Sequence, residues 1–252
     1  AETIELSAEL FELPEALISA AEAQTVSGVT VNGFNISVTD NSLGETDNAL
    51  GEELSVFIPQ SALPPGTDSL NVRMKAYDPT QPEEAAFFPG AYEDSDGNKL
   101  LSIAFNYADI TTDTGVSLKQ VAQKTRSERI KAQKSGRQQK TQAADAVVIN
   151  RLVPEESCNS LATMGDSDKS LDGFQIPVYT YNPASGLWDL LGQGSLYDDA
   201  GEIIPSDFNS FACGSVSYTL EIKVTNEIFI SNWWNLDYPL VFDEPQTVCA
   251  NL

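Results

Sequence analysis

The sequence predicts an all-β protein that consists of two antiparallel β-sandwich domains in tandem, with a basic loop or weakly helical insertion. Apolar residues alternate with polar ones in many short segments, which is typical of strands with one buried face. These segments recur about every 8 to 15 residues, with Gly, Pro and Asp between them. The predicted organisation is an N-terminal extension at 1–25, a first sandwich at 26–153 with the insertion at 119–145, and a second sandwich at 154–252.

The extension and the first sandwich are predicted from their composition and apolar spacing. Residues 1–24 are rich in helix formers, and Pro14 predicts either a short helix after it or a strand that enters the sandwich. Four alternating segments follow, and Pro59 ends the second because proline cannot donate to a central ladder. A turn at 111–115 leads to another strand at 116–118. The alternating apolar positions are Val29, Val31, Phe34, Ile36 and Val38; Leu54, Val56 and Ile58; Val72, Met74 and Ala76; and Ile103 and Phe105.

The second half continues the same alternation. A strand at 146–153 closes the first sandwich, and turns at 182–186 and 197–201 separate the strands that follow. This spacing favours an antiparallel sandwich over a parallel α/β sheet. The apolar positions are Ile176 and Val178; Trp188 and Leu190; and Tyr218, Leu220, Ile222 and Val224.

The chain is strongly acidic, with 14 Lys and Arg against 37 Asp and Glu in 252 residues and a net charge of −23. Such a charge repels nucleic acid and anionic lipid, so cations, neutral sugars or other proteins are the expected partners. The longest apolar runs are much shorter than the roughly 18 residues that cross a bilayer, so no membrane insertion is expected.

Basic residues are concentrated in one segment, because residues 119–140 hold eight of the 14 and a single acid, Glu128. The other 230 residues carry a net charge of −30. A segment with so few apolar residues has little surface to bury, which predicts an exposed loop that is disordered or weakly helical. The first interpretation is a solvated insertion attracted to its own acidic body. A basic finger for nucleic acid or anionic glycan, and a proteolytic site, are the alternatives.

The sequence contains no histidine, which excludes several kinds of active site. Serine and cysteine nucleophiles activated by imidazole, histidine general bases and zinc held by histidine all require that side chain. A glycoside hydrolase needs only two carboxylates and is therefore not excluded. No motif singles out one pair among 37 acids, so no catalytic residue is assigned.

Cys158 and Cys213 both lie in segments with the composition of loops between strands. Loop cysteines in a chain of secreted type favour a disulfide, so we predict that these two pair. Two free thiols in a reducing compartment are the alternative. Cys249 lies three residues from the last residue and is expected to be free or to have its partner in a downstream domain.

Tryptophans and acidic clusters supply the candidate ligand contacts. Trp233 and Trp234 are neighbours, so in a strand they point to opposite faces, and we expect one to pack in the core and the other to be partly exposed. An exposed ring, Trp188 included, would form a platform for sugar stacking. Calcium is a candidate ligand at residues 94–98 and at an acidic cluster within 166–172. A plain turn is favoured at 94–98, because a helix-loop-helix site that began at Asp94 would have Lys99 in place of its Gly and Phe105 in place of its terminal acid. A solvated loop is favoured at 166–172. The candidate oxygen ligands are Asp94, Asp96 and Asn98, and Asp166, Asp168 and Asp172.

Several stretches resemble the tandem β-sandwich region of cartilage intermediate layer protein, of related bacterial surface proteins, and of ankyrins and netrin receptors. The likeness covers about residues 30–118 and 145–250 in the same order. The stretches are LSVFIPQSALP at 54–64, YDPT at 77–80, FPG at 88–90, DSDGN at 94–98, PVYTYNPASGLW at 177–188 and NWWNLD at 232–237.

This resemblance implies an extracellular, non-enzymatic region that is commonly followed by a transthyretin-like module, which would begin near 248–252. Some tandems of this type cleave themselves at a His-Phe-Ser step. The equivalent stretch at 228–232 has no histidine, so no self-cleavage is expected. The basic insertion is not part of the family pattern.

Together these observations predict a structural or adhesion module of a bacterial surface or secreted protein from a saline setting, with other surface proteins or glycans as partners. The first residue, Ala1, suggests a cleaved leader or a cloned piece. A carbohydrate-binding module and a two-carboxylate glycoside hydrolase are the alternatives. No cofactor is expected, and calcium is the one ion for which the sequence offers candidate ligands.

Overall fold

The protein is described here from a computed structural model that covers residues 23–27, 33–38, 53–135, 146–161 and 173–240. Strands dominate this part of the chain, with three short or medium helices and two 3-10 turns, at Gln60–Ala62 and Asn226–Ile230. The helices are α1 (Pro82–Ala85), α2 (Leu118–Lys134) and α3 (Glu155–Leu161). The strands are β1 (Ala23–Ser27), β2 (Gly33–Val38), β3 (Leu54–Pro59), β4 (Ser69–Tyr77), β5 (Lys99–Thr112), β6 (Val147–Leu152), β7 (Gln175–Asn182), β8 (Leu187–Tyr197), β9 (Thr219–Val224) and β10 (Trp233–Leu240).

The ten strands form one antiparallel sheet in the order β1-β4-β5-β10-β7-β8-β9-β6-β3-β2. The prediction of an all-β protein is confirmed. The predicted tandem of sandwiches at 26–153 and 154–252 is not confirmed, because strands from both sides of that boundary share the sheet. β10 pairs with β5 over eight positions, and β9 pairs with β6 over six.

Alternating segments of the sequence became strands wherever the structure describes them. In β9, Leu220, Ile222 and Val224 are buried, whereas Glu221 and Lys223 between them are not. The predicted turns at 182–186 and 197–201 are confirmed by backbone hydrogen bonds from Gly186 to Asn182 and from Gly201 to Asp198. Residues 28–32, where the first alternating segment is predicted to begin, lie outside the described residues.

Two local predictions are wrong. Residues 116–118 do not form a strand, because α2 begins at Leu118 and the Ser117 hydroxyl accepts a hydrogen bond from the Lys119 amide at 3.2 Å. The segment around Cys158 is the helix α3, and not a loop. Its two glutamates occupy the first turn, where negative charge favours a helix.

The basic segment is also more ordered than predicted, since α2 is a 17-residue helix. The prediction of an exposed loop depended on the small number of apolar residues in this segment. The spacing of these residues, however, allows a helix to bury them. Leu118, Val121 and Ala122 recur at i, i+3 and i+4, which places them on one helical face. Leu118 and Ala122 are buried in the main core, and Val121 packs against it. None of the helices in the described part of the chain is long and apolar enough to cross a membrane.

The sheet curls so that its inner face encloses the main core, and Arg151 joins two distant parts of the curl. Arg151 shares a face of β6 with Val147 and Ile149 and is only 1 % exposed. Its guanidinium donates to the carbonyls of Glu53 and Tyr77, both at 3.2 Å, and lies 3.3 Å from the Glu53 carboxylate. Tyr77 ends β4, which five strands separate from β6 in the sheet order. A buried cation therefore connects strands that do not pair.

Removal of the Arg151 guanidinium should destabilise the protein strongly. Arg151→Met keeps the side-chain volume but leaves the Tyr77 and Glu53 carbonyls and the Glu53 carboxylate without this donor. We expect the free energy of unfolding to fall by about 3 kcal/mol in urea unfolding. Arg73→Met, at an exposed position of β4, is the control and should change it by less than about 0.5 kcal/mol. Equal effects of the two substitutions would contradict the bridging role.

The structure joins Cys158 and Cys213 in a disulfide with a Cα–Cα distance of 5.7 Å, consistent with the predicted pairing. The bond closes a loop with a sequence separation of 55 residues and fastens α3 to the segment before β9. Cys249 lies outside the described residues.

Reduction of this disulfide should lower the melting temperature, because a loop of this length corresponds to about 4 kcal/mol in the chain-entropy estimate. Alkylation in denaturant without reductant should label one thiol, Cys249, by intact mass. Labelling of all three cysteines would show that the pair does not form in the isolated protein.

Candidate functional site

An aromatic cluster covers part of the outer face of the sheet and brings together residues from distant parts of the sequence. The Tyr77 and Phe105 rings stack with their centroids 4.8 Å apart, and Phe88 lies 4.9 Å from Trp188. Trp233 joins the cluster beside Tyr77 at 5.6 Å. The cluster residues are Tyr77, Phe88, Leu100, Phe105, Tyr179, Trp188 and Trp233, with Phe87, Tyr107 and Tyr181 packed against them.

The loop before β5 holds this cluster in place through a close backbone contact. Gly90 adopts φ +73°, and a Cβ at this position would overlap the carbonyl oxygen of Gly186 in the β7–β8 turn. The Ala91 amide donates to the same carbonyl at 3.2 Å. Glycine at position 90 therefore lets the loop lie directly on the turn.

Trp233 and Trp234 lie on opposite faces of β10, as alternation predicts, since Trp233 belongs to the outer cluster and Trp234 to the inner core. The expected partial exposure of one ring is wrong. Trp233 is 9 % exposed, Trp234 0 % and Trp188 0 %, because Trp233 and Trp188 pack in the aromatic cluster and Trp234 in the inner core. None of the three tryptophans offers an exposed platform for sugar stacking.

Asp94 organises a turn, which is the favoured prediction for this segment. Its carboxylate accepts hydrogen bonds from the Asp96 and Asn98 amides at 3.0 and 2.8 Å and from the Asn98 side chain at 2.9 Å. The Gly97 amide closes the turn on the Asp94 carbonyl at 3.1 Å. The described residues contain no group of three or more acids and cysteines arranged to hold a metal ion. The acidic cluster within 166–172 lies outside them.

A buried carboxyl group lies under the same surface, at a bulge of β10. Asp237 is 0 % exposed, and its Oδ2 accepts from the Asn235 amide, which in turn accepts from the Ser102 hydroxyl at 2.7 Å. Its Oδ1 has no hydrogen-bond partner among the described residues. Burial raises the pKa of Asp237 well above its usual range, although hydrogen bonding by Ser102 and Asn235 opposes the shift. The carboxyl group therefore keeps its proton to a higher pH than an ordinary aspartate.

The same buried environment affects the pKa of two tyrosines. Burial, with the nearby charges of Asp94 and Asp237, raises the pKa of Tyr179 to about 12. Burial, followed by the charge of Asp237, also raises the pKa of Tyr92. Asp237 was not among the predicted site residues. The available signal was an acid that directly follows four mostly apolar positions, 233–236.

The second candidate surface is the basic helix α2, which is fastened to the acidic body by two ion pairs. Arg126 lies 3.4 Å from the Asp189 carboxylate of β8, and Arg129 lies 2.8 Å from Glu227. Glu227 is buried in the 3-10 turn before β10 and needs this partner. These ion pairs agree with an attraction between the basic segment and the acidic body, but residues 118–134 form a docked helix and not the predicted solvated insertion.

The opposite side of α2 presents cations to solvent. Lys124, Lys131 and Lys134 are all exposed, and Ile130 between them is 40 % exposed. The only acid of α2, Glu128, is exposed as well. Since the helix is anchored through its other side, these ammonium groups form a fixed cationic surface on an otherwise acidic protein.

Comparison of the chain with protein-family models, curated proteins and solved structures finds no match.

Replacement of Asp237 should change how stability depends on pH. The native state keeps the Asp237 proton to a higher pH than the unfolded chain, where Asp titrates near about 3.9. The stability contributed by this proton is complete below that pH and is lost as the pH rises through the raised pKa. The free energy of unfolding of Asp237→Asn should therefore rise relative to the unmodified protein from about pH 4 toward neutrality.

Urea unfolding at a series of pH values measures this difference. Asp207→Asn, at an exposed position, is the matched control and should follow the unmodified protein. A constant difference between Asp237→Asn and the unmodified protein over the whole pH range would contradict the raised pKa of Asp237.

Proposed function

We propose that this chain is a non-enzymatic structural or adhesion module of an extracellular protein, and that it binds an anionic glycan through the exposed lysines of α2. The observation that carries the proposal is the fixed cationic surface of Lys124, Lys131 and Lys134. The aromatic cluster and the inner core are both buried, whereas the surface of α2 is a chemically distinctive region that a partner can reach.

The anchoring of α2 favours binding by this surface. Arg126 and Arg129 are engaged by the body, and Leu118 and Ala122 are buried beneath the helix. A partner therefore does not need to order a loop before it contacts the lysines, which lowers the entropic cost of binding. The remaining ammonium groups provide the point charges that sulfate and carboxylate groups attract.

The charge distribution favours a thin, flexible polyanion over a large one. The 230 residues outside 119–140 carry a net charge of −30, which repels any extended anionic surface. Salt screens this repulsion over a Debye length of about 10 Å at 0.1 M, so a single polysaccharide strand can contact the helix at modest ionic strength. Duplex nucleic acid is wider and more highly charged, and it would meet the acidic body as well.

Three features support the extracellular part of the proposal. The acidity of the chain, the Cys158–Cys213 disulfide and the resemblance to the tandem region of cartilage intermediate layer protein all agree with it. The resemblance also supports a non-enzymatic role and further domains in the full-length protein.

Neutralisation of the helix surface should weaken glycan binding. Lys124→Gln, Lys131→Gln and Lys134→Gln together remove three charges without disturbing the buried side of α2. In titration with a sulfated polysaccharide at 0.1 M NaCl, we expect the dissociation constant to rise about tenfold, at about 0.5 kcal/mol for each exposed ion pair. The melting temperature should remain unchanged.

Glu128→Gln is the matched control on the same helix and should tighten binding slightly, since it removes a negative charge from this surface. Equal affinities of all variants would place the binding site elsewhere. Stronger binding of an oligonucleotide duplex than of the polysaccharide would identify the helix as a nucleic-acid contact. Hydrolysis of a glycan panel by the purified chain would instead establish the glycosidase alternative.

A further inference from the structure

Three polar side chains lie side by side on the inner face of the sheet, on three neighbouring strands. Trp234 of β10 is the register partner of Asn106 in β5 on one side and of Thr180 in β7 on the other. Residues directly opposite one another in antiparallel strands project from the same face. Asn106 and Trp234 are 0 % exposed and Thr180 is 2 % exposed, so the row is enclosed by the protein.

Four hydrogen-bonding atoms of this row have no partner in the described part of the chain. They are Oδ1 and Nδ2 of Asn106, Nε1 of Trp234 and Oγ1 of Thr180. Buried polar atoms in folded proteins are satisfied by protein groups or by ordered water in the large majority of cases. Four unsatisfied atoms from adjacent side chains therefore point to a shared partner.

The chemistry of the row fits water. The indole N–H only donates, the amide both donates and accepts, and the hydroxyl does either. A water molecule offers two donors and two acceptors, and buried water typically makes about three hydrogen bonds. We infer that Asn106, Trp234 and Thr180 form an internal hydration site, in which ordered water bridges the indole to the amide and the hydroxyl.

The row continues toward solvent on one side. Thr180 pairs in register with Asp189, whose carboxylate accepts from Asn182 at 3.2 Å and from Arg126 of α2 at 3.4 Å. Asp189 and Arg126 are both partly exposed. Polar groups thus extend from the core to the edge of the helix and provide a route by which the internal water exchanges with solvent.

Thr180→Val tests the inference through the sign of its effect, because the two side chains have nearly the same shape. If Oγ1 binds water, its removal breaks a hydrogen bond, and the unfolding equilibrium constant should rise about fivefold. If the site is dry, the substitution removes an unsatisfied buried hydroxyl, and the constant should fall. Thr219→Val, at a half-buried position of β9, is the control and should change it less than about twofold.

The contact between the Trp234 indole and water can also be measured directly by NMR in the unmodified protein. The Trp234 indole N–H, identified by the peak that Trp234→Phe removes, should show a direct nuclear Overhauser contact with water, and Thr180→Val should weaken it. Thr180→Ser keeps the hydroxyl and should preserve the contact. Absence of the contact in the unmodified protein, or stabilisation by Thr180→Val, would overturn the hydration site.

Discussion

The curl of the sheet depends on the requirement that a buried guanidinium has acceptors. Arg151 points into the core from β6, where water cannot reach it, and burial lowers its pKa while the Glu53 carboxylate opposes that shift. Its acceptors are the Glu53 and Leu152 carbonyls beside its own strand and the Tyr77 carbonyl at the end of β4. The curl of the sheet brings the end of β4 within reach of the Arg151 side chain, so that these hydrogen bonds form. The inner core lies within this curl and includes residues of nine strands, β2 to β10, and of α2.

Burial of part of the outer face determines the character of the polar residues there. An ordinary antiparallel sheet exposes one face to water, whereas here the aromatic cluster covers part of the outer face. Polar side chains beside the cluster are consequently buried, as Asn235 and Asp237 are, and the inward positions include Asn106 and Thr180. The cluster and the inner core together remove the tryptophans from solvent.

The basic helix links the stability of the protein to its proposed function. Its first two turns bury Leu118 and Ala122, and its arginines neutralise Asp189 and the buried Glu227. The lysines on the other side have no comparable structural partner in the described residues and remain in solvent. One amphipathic element therefore stabilises the body and presents the cationic surface, and the two roles involve different side chains that can be replaced separately.

The sequence by itself determined where most of the described strands and several turns lie, because alternation and turn chemistry are local properties of the chain. It also indicated the pairing of Cys158 and Cys213. Only the tertiary structure decided that β10 lies between β5 and β7, since the pairing of β10 with β5 joins residues more than 120 positions apart. It also decided that Arg151 and Asp237 are buried, that both tryptophans at 233–234 are covered, and that α2 is ordered. Burial and helix docking depend on partners distant in sequence, which neither composition nor periodicity specifies.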